Sequence, residues 1–559
     1  MNVTGKTIRS ILFAALLAFT HVGNANTPPQ AAIASAHPLA TEAGLDILQQ
    51  GGNAFDAAIT VAAVLAVVEP AGSGMGGGGF WLLHDQQRDK HVFLDARETA
   101  PGKAHRDMYL DEHGEVDRQL AINSPLAAGI PGQAAAFALL AEKYGTLPLS
   151  TTLAPAIKIA EEGFPVGRRY RTMMAWRASV LNKYPAARAI FLQDGQAPTD
   201  GFILKQPDLA HTLRLLAEHG RDGFYQGELA EKLVQAVQRD GGIWELEDLA
   251  NYQVVEREPL IGQFRGANII TSPPPSSGGV ALLQTFGILE QFNKGHIEQS
   301  LLPHLTVEAL RRAYYDRGFY LGDSDYVTVP IERLLSKKHL RKMAQSINIK
   351  APTSSESLGP KVELQQGENT THYSILDKHG NKVAATLSIN LPFGSGYVAP
   401  GTGFLLNNEM DDFSAKPGAP NAYGLIGSNA NAIEAGKRPL SSMTPTFIEW
   451  DNQVGILGTP GGSRIITMVL LGIQEALDGR PVFHWVNRPR YHHQYLPDVV
   501  EVEPTFLGSA QAQALIDKGH TLKETSRRYG DMQAIHWHKT HQTVEAASDA
   551  RGEGKASVR

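Results

Sequence analysis

The sequence predicts an α+β fold, and three observations carry that reading. Helical spacing of apolar residues marks Thr41–Gln50 and Ala57–Val68, and residues 130 to 250 alternate helical stretches with short loops. Strand-type segments mark Phe80–His84 and Val92–Asp95, and they dominate from residue 370 onward. The 559 residues are 42% apolar and 19% charged, which suits a globular chain able to bury a large core.

Each element has a local reason. The first helix stops at Gly51-Gly52. Asn53 can cap the second, with Asp56 in its first turn, and the Ala-rich segment to Val68 is apolar on most sides, so it should be buried. Glu69-Pro70 ends it. The run from Gly72 to Gly79 contains a G-x-G-x-x-G pattern, but it precedes a strand, whereas the dinucleotide fingerprint follows one and opens a helix. Glycines entering a strand instead suggest close backbone packing or a loop near a ligand. Pro273-Pro274-Pro275-Ser276-Ser277-Gly278-Gly279 runs into an apolar helix from Val280, which fits a buried loop better than a domain boundary. A further helix should follow Pro460-Gly461-Gly462, with strands after it.

Composition excludes several function classes. The net charge of −6 offers no basic footprint for nucleic acid and no polybasic membrane patch. Without cysteine there can be no disulfide, thiolate nucleophile or Cys-based metal site. Lys6 and Arg9, the apolar stretch Ile11–Phe19, and Gly23-Asn24-Ala25 read as a secretory signal cut after about Ala25, too short to span a membrane. That predicts a periplasmic or secreted protein with no membrane attachment after the signal is removed. No nucleophile elbow, P-loop or H-E-x-x-H is present. His492-His493 and His536/His538/His541 lack acidic partners in obvious reach, so no metal site is expected.

The chemistry points to Thr370. Thr370-Thr371-His372-Tyr373-Ser374 begins a strand after the polar run Gln365–Asn369. Asp377-Lys378-His379-Gly380-Asn381 is a turn cluster, and a hairpin centred on His379 sets Thr370 opposite Ser388. Directly opposed side chains lie about 4.5–5.5 Å apart. Asn390 falls on the same face as Ser388. A threonine freed as an N-terminus carries nucleophile and base in one residue. That requires cutting Asn369–Thr370; otherwise Thr370 is an ordinary β-branched strand residue.

Several motifs decide between these readings. Gly51–Ala58, Val68-Glu69-Pro70, the Gly72–Gly79 loop, Arg97-Glu98-Thr99-Ala100-Pro101, Thr370–Tyr373, Leu406–Phe413, Lys437–Met443 and Pro460–Ser463 together resemble the γ-glutamyltransferase (γ-glutamyl transpeptidase, glutathione hydrolase) family. The resemblance runs from about residue 31 to 551 in family order. It implies the N-terminal nucleophile hydrolase fold, a four-layer αββα sandwich. It also implies self-cleavage into a large subunit (26–369) and a small one (370–559) that stay together as a heterodimer.

The resemblance further assigns roles. Thr370 is the nucleophile, with Ser388 beside it, and the product is a γ-glutamyl ester resolved by water or an acceptor amine. Arg97 can hold the substrate α-carboxylate by its bidentate fork, helped by Ser441 and Ser442. Asn390, Glu409 and Asp412 would hold the α-ammonium, while Asp411 reads as a solvated acid. Gly461 and Gly462 would supply oxyanion-hole N–H groups. Arg464 reads as structural. Residues 417–424 resemble a lid loop with Tyr423 at its gate. Ser388 stands where the family more often has Thr, and Glu409 where some members have Gln. No cofactor is implied; the partners are small γ-glutamyl substrates and amino acid or peptide acceptors. The alternative is a related acylase for glutaryl-cephalosporin-type or poly-γ-glutamate substrates, which would lose part of the α-amine clamp.

Overall fold

Two antiparallel sheets lie face to face, each covered on its outer side by helices. The computed structural model describes residues 27–292, 298, 300–359 and 370–559. The expected signal at 1–25, the polar run before Thr370 and Asn369 itself fall outside the described residues. The first sheet runs Lys555–Val558, Ala32–Ser35, Thr371–Leu376, Lys382–Ser388, Gly78–Asp85, Lys90–Ala96, Val255–Arg257. The second runs Thr543–Ser548, Gln533–His538, Gln453–Gly458, Thr446–Trp450, Ala267–Thr271, Leu260–Phe264. This is the four-layer αββα sandwich.

Strand alternation separates the layers. Ile33, Trp81, Leu83, Tyr373, Ile375 and Val383 face the helical layer that contains Ala54–Val68 and Leu149–Glu162. Their neighbours Ala32, Ala34, Phe80, Leu82, Leu376 and Ala384 face the second sheet. Both faces are buried, so these strands read as near-continuous apolar runs rather than alternating ones. Helices Gly278–Glu290, Leu302–Tyr320 and Ile465–Leu477 close the far side. Between the sheets several polar residues are paired. His372 Nδ1 lies 2.8 Å from Thr386 Oγ, and Ser374 Oγ donates to the Gln533 carbonyl at 3.1 Å. A Cβ on Gly458 would come within 2.2 Å of the His372 ring, so a glycine is needed there.

The local expectations hold with adjusted ends. The first helix spans Pro38–Gln49, starting earlier than its spacing suggested because Pro38 occupies its first turn. The second spans Ala54–Val68, buried throughout, with the full capping box between Asn53 and Asp56. Asp56 also accepts the backbone N–H groups of Thr146, at 3.0 Å, and Leu147, at 3.2 Å. Asp56→Ala strands these buried donors and should destabilise the protein by about 3 kcal/mol, read from the denaturation midpoint. The 273–279 loop is buried, as expected. The glycine run packs backbone on backbone. Added Cβ atoms at Gly76, Gly77, Gly78 and Gly79 would lie 2.1, 2.2, 2.3 and 2.5 Å from carbonyl oxygens of neighbouring segments. One expectation fails: strands do not dominate from residue 389 to 445. That stretch is irregular, with only short 3-10 turns such as Glu409–Asp412 and Asn429–Asn431.

Candidate active site

The hairpin places Thr370 by register. Thr371 pairs with Leu387 and Leu376 with Lys382, so Thr370 and Ser388 are the next opposed pair beyond the ladder. The turn is held by Asp377, whose Oδ1 accepts the N–H groups of His379 and Asn381, both at 2.9 Å. Thr370 and Ser388 line one small cavity of about 20 Å³ with Arg97, Asn390, Glu409, Asp412, Tyr423, Ser441, Ser442 and Gly462. Every residue given a catalytic or substrate-binding role from the sequence is in this set except Gly461, which lines a separate cleft.

Arg97 leaves the end of the Lys90–Ala96 strand and is almost fully buried. Its Nη1 donates to Glu409 and its Nη2 to Asp412 at 2.5 Å, while Nε donates to the Pro439 carbonyl at 3.2 Å. The predicted carboxylate holder and ammonium holders are therefore paired with one another. Burial pushes Glu409 and Asp412 upward, and Arg97 partly opposes this. Burial alone would lower Arg97; the two acids reverse that and keep it charged. Asn390 Nδ2 donates to the Asn408 carbonyl at 2.9 Å, and Ser388 Oγ accepts the Asn390 N–H at 2.7 Å. Asn390 Oδ1 and Glu409 Oε2 are buried acceptors with no donor among the described residues.

Glu98 lies behind Arg97. It is fully buried, and neither carboxylate oxygen has a hydrogen-bond partner among the described residues. Burial raises it to about 7, against the pull of Arg97. With its folded pKa above its unfolded one, its contribution to stability is present at low pH and lost as pH rises through about 7. Glu98→Gln should flatten the fall in stability between about pH 4.5 and 7, measured by denaturation at each pH.

Gly461 and Gly462 adopt φ of 140° and 56°, and Gly462–Arg464 forms a 3-10 turn leading into helix Ile465–Leu477. A Cβ on Gly462 would sit 2.3 Å from the Tyr423 ring. Tyr423 closes the cavity by donating its hydroxyl to the Asn390 carbonyl at 2.8 Å. Arg464 pairs with Glu501 at 2.7 Å, a structural contact.

Asp411 corrects the sequence reading: it is buried, not solvated. Its Oδ2 accepts the Ala422 N–H at 2.8 Å and Arg118 lies 3.3 Å away, which ties the lid loop to the acidic turn. Burial raises it to about 7. Asn421 Nδ2 adds a second tie, to Asp412 at 3.0 Å. Two supports went unnoticed in the sequence. Arg317, mid-helix, donates to Ser442 Oγ at 3.2 Å and Ser277 Oγ at 2.9 Å. Ser277 in turn donates through N–H and hydroxyl to the Ser441 carbonyl at 2.8 and 2.6 Å. The Ser-Ser-Gly-Gly tail was a visible signal for the second; a helical arginine offered none for the first.

An αββα sandwich with a threonine at the mouth of a central hairpin defines an enzyme of the N-terminal nucleophile hydrolase class. A cephalosporin acylase from Bacillus halodurans has the same fold, with a TM-score of 0.83 at 28% identity over 98% of this chain and 99% of that one. The Helicobacter pylori gamma-glutamyltranspeptidase gives a TM-score of 0.56 at 39% identity, covering 58% of this chain and 94% of that one. The Escherichia coli glutathione hydrolase proenzyme is 44% identical over 483 residues, 85% of this chain and 83% of its own length. The gamma-glutamyltranspeptidase family model matches residues 40–559. The chain belongs to the gamma-glutamyltranspeptidase family.

Proposed function

We propose that the chain is a γ-glutamyl hydrolase and transferase that matures by cutting its own Asn369–Thr370 bond. The observation that carries this reading is the gathering of Thr370, Ser388, Asn390, Arg97, Glu409 and Asp412 around one cavity. The cut frees the Thr370 amine, which takes the proton from Oγ as that oxygen attacks the γ-carbonyl of a γ-glutamyl amide. Gly461 and Gly462 stabilise the oxyanion. The C–N bond breaks, the amine leaves with a proton, and water or an acceptor amine resolves the γ-glutamyl ester. Glutathione, the substrate in the names of relatives, fits as a donor.

The zwitterionic head group exchanges partners with the protein. Its α-carboxylate takes the Arg97 fork, with Ser441 and Ser442, and its α-ammonium takes Glu409, Asp412 and the unpartnered Asn390 Oδ1. The Arg97–Glu409 and Arg97–Asp412 pairs give way to pairs with the head group, and the orphaned acceptors gain donors. The head group can take these partners only as Arg97 and the acids separate. Arg97→Ala should raise KM by about ten- to a hundredfold, the worth of a hydrogen bond to a charged group. Steady-state kinetics on a γ-glutamyl anilide checks this, and a wild-type KM removes Arg97 from the site.

Residues 1–25 act in this reading as a secretory signal, giving a periplasmic or secreted heterodimer. A denaturing gel with N-terminal sequencing tests it: two bands, near 26–369 and 370–559, the smaller starting at Thr370. A fully active single chain overturns it. The acylase alternative is disfavoured by the complete set of Asn390, Glu409 and Asp412.

A further inference from the structure

Thr370 stands just past the end of its ladder. On one side the strand pairs no further than Thr371 with Leu387, and on the other no further than Tyr373 with Ser35. In the function proposed above the cut makes Thr370 a chain terminus, and termini fray unless something ties them down. The tie is at the next residue. Thr371 points away from the cavity, to the helical-layer side shared with Tyr373 and Ile375. There its Oγ1 donates to Glu69 Oε2 at 2.5 Å. Glu69 is the C-cap of the buried helix Ala54–Val68 and is itself buried. It also sits beside the backbone of Thr370: a Cβ on Gly72 would stand 3.3 Å from the Glu69 carboxylate and 3.4 Å from the Thr370 carbonyl oxygen. The other Glu69 oxygen, Oε1, lies 3.3 Å from Nε of Arg169. Arg169 Nη1 donates in turn to the buried Asp531 at 3.0 Å. The Asp531 N–H donates to Thr459 Oγ1 at 3.2 Å, directly before Pro460-Gly461-Gly462.

We infer that Glu69 is a positioning residue for the nucleophile: it fixes the start of the Thr370 strand through Thr371 and, through Arg169 and Asp531, holds that start in step with the turn that carries the oxyanion donors. The inference rests on the function proposed above and adds to it residues that touch no substrate. Glu69, Thr371, Arg169 and Asp531 all lie outside the set that lines the Thr370 cavity. Both oxygens of Glu69 are used, one on the strand and one on Arg169, so the carboxylate cannot turn without releasing one of them. Burial pushes the Glu69 carboxyl up, while Arg169 and the Thr371 hydroxyl favour its ionised form. Attack needs Oγ, the γ-carbonyl and the oxyanion donors aligned together, and a misplacement of about 1 Å can cost a hundredfold in rate. The parts come from both sides of the proposed cut: Glu69 and Arg169 precede it, Thr371 and Asp531 follow it.

The test reads kcat and KM separately on γ-glutamyl-4-nitroanilide, with the full-length protein and per cut chain counted on a denaturing gel. Thr371→Val swaps the hydroxyl for a methyl of like size; kcat should fall about tenfold with KM within about twofold of wild type. Thr371→Ser keeps the donor and should hold kcat within about twofold of wild type. Glu69→Gln, the milder change, keeps an acceptor for Thr371 and loses the Arg169 pair; it should lower kcat about threefold at unchanged KM. The Glu69→Ala/Thr371→Val pair should be no slower than Glu69→Ala alone, because the second change breaks a link already gone. Self-cutting needs the same oxygen in place, so slow appearance of the 370–559 fragment in Thr371→Val, with rescue by Thr371→Ser, supports the inference equally. A merely structural tie would lower the denaturation midpoint and leave kcat per cut chain unchanged. That outcome, a rise in KM in place of the fall in kcat, a Thr371→Ser variant as slow as Thr371→Val, or a wild-type kcat in Glu69→Gln overturns the inference. Wild type that is not cut at Thr370, or that leaves the anilide intact, overturns the γ-glutamyl reading instead.

Discussion

Thr370→Ala should yield one uncut chain with γ-glutamyl hydrolysis lowered by at least about 10⁴-fold, because the variant loses attacking oxygen and freed base together. Alanine should be tolerated at this buried position just beyond the ladder, so folding should survive. Thr370→Ser separates the roles. It keeps the hydroxyl and the future amine, and should cut and turn over, though more slowly. Mass spectrometry of both variants and an anilide assay give the answer. An uncut Thr370→Ala protein that retains activity would remove Thr370 as nucleophile, and a cut one would place the scissile chemistry elsewhere.

The second large effect is on substrate choice. A γ-glutamyl anilide should be cleaved several orders of magnitude faster than the matching glutaryl anilide, which lacks only the α-amine. A site built to bond a polar group can reject an analogue without it by about 10⁴–10⁵. Here the reason is concrete. A glutaryl carboxylate would still draw Arg97 away from Glu409 and Asp412, and would leave those buried acids with no cation in exchange. Asp412→Ala should narrow the gap by slowing the γ-glutamyl substrate much more than the glutaryl one. Equal wild-type rates on both anilides would favour the acylase alternative.

The hairpin was legible because a single turn cluster, Asp377–Asn381, sets its register, and register alone carries Thr370 to Ser388. The cap at Asn53 and the glycine run were legible for the same local reason. What escaped depends on burial and on long-range partners. Glu409 and Asp412 look like the arms of an ammonium clamp, yet nothing near them in the chain shows that they close on Arg97, more than 300 residues away. Asp411 sits in the same acidic run and looks solvated; only the fold reveals the Ala422 N–H above it. Arg317 is one arginine among several on its helix, and its reach to Ser442 is set by helix packing. The stretch from 389 to 445 shows no period because its segments follow the cavity rather than a sheet or helix.

The order of strands has a consequence for how the protein endures. Once cut, the strand Thr371–Leu376 still lies between Ala32–Ser35 and its own hairpin partner, which in turn pairs with Gly78–Asp85. The last strand, Lys555–Val558, grips the first, and the second sheet joins 260–271 to 446–458. Neither fragment owns either of the two main sheets, so the two cannot drift apart without unzipping both. The proposed cleavage would thus turn a one-body folding problem into a two-body one that is solved in advance. The durability of the mature protein becomes a matter of how slowly it opens rather than of a reversible balance. After denaturation, the cut protein should recover at a rate that depends on its concentration, if it recovers at all, whereas the uncut Thr370→Ala chain should refold at a rate that does not.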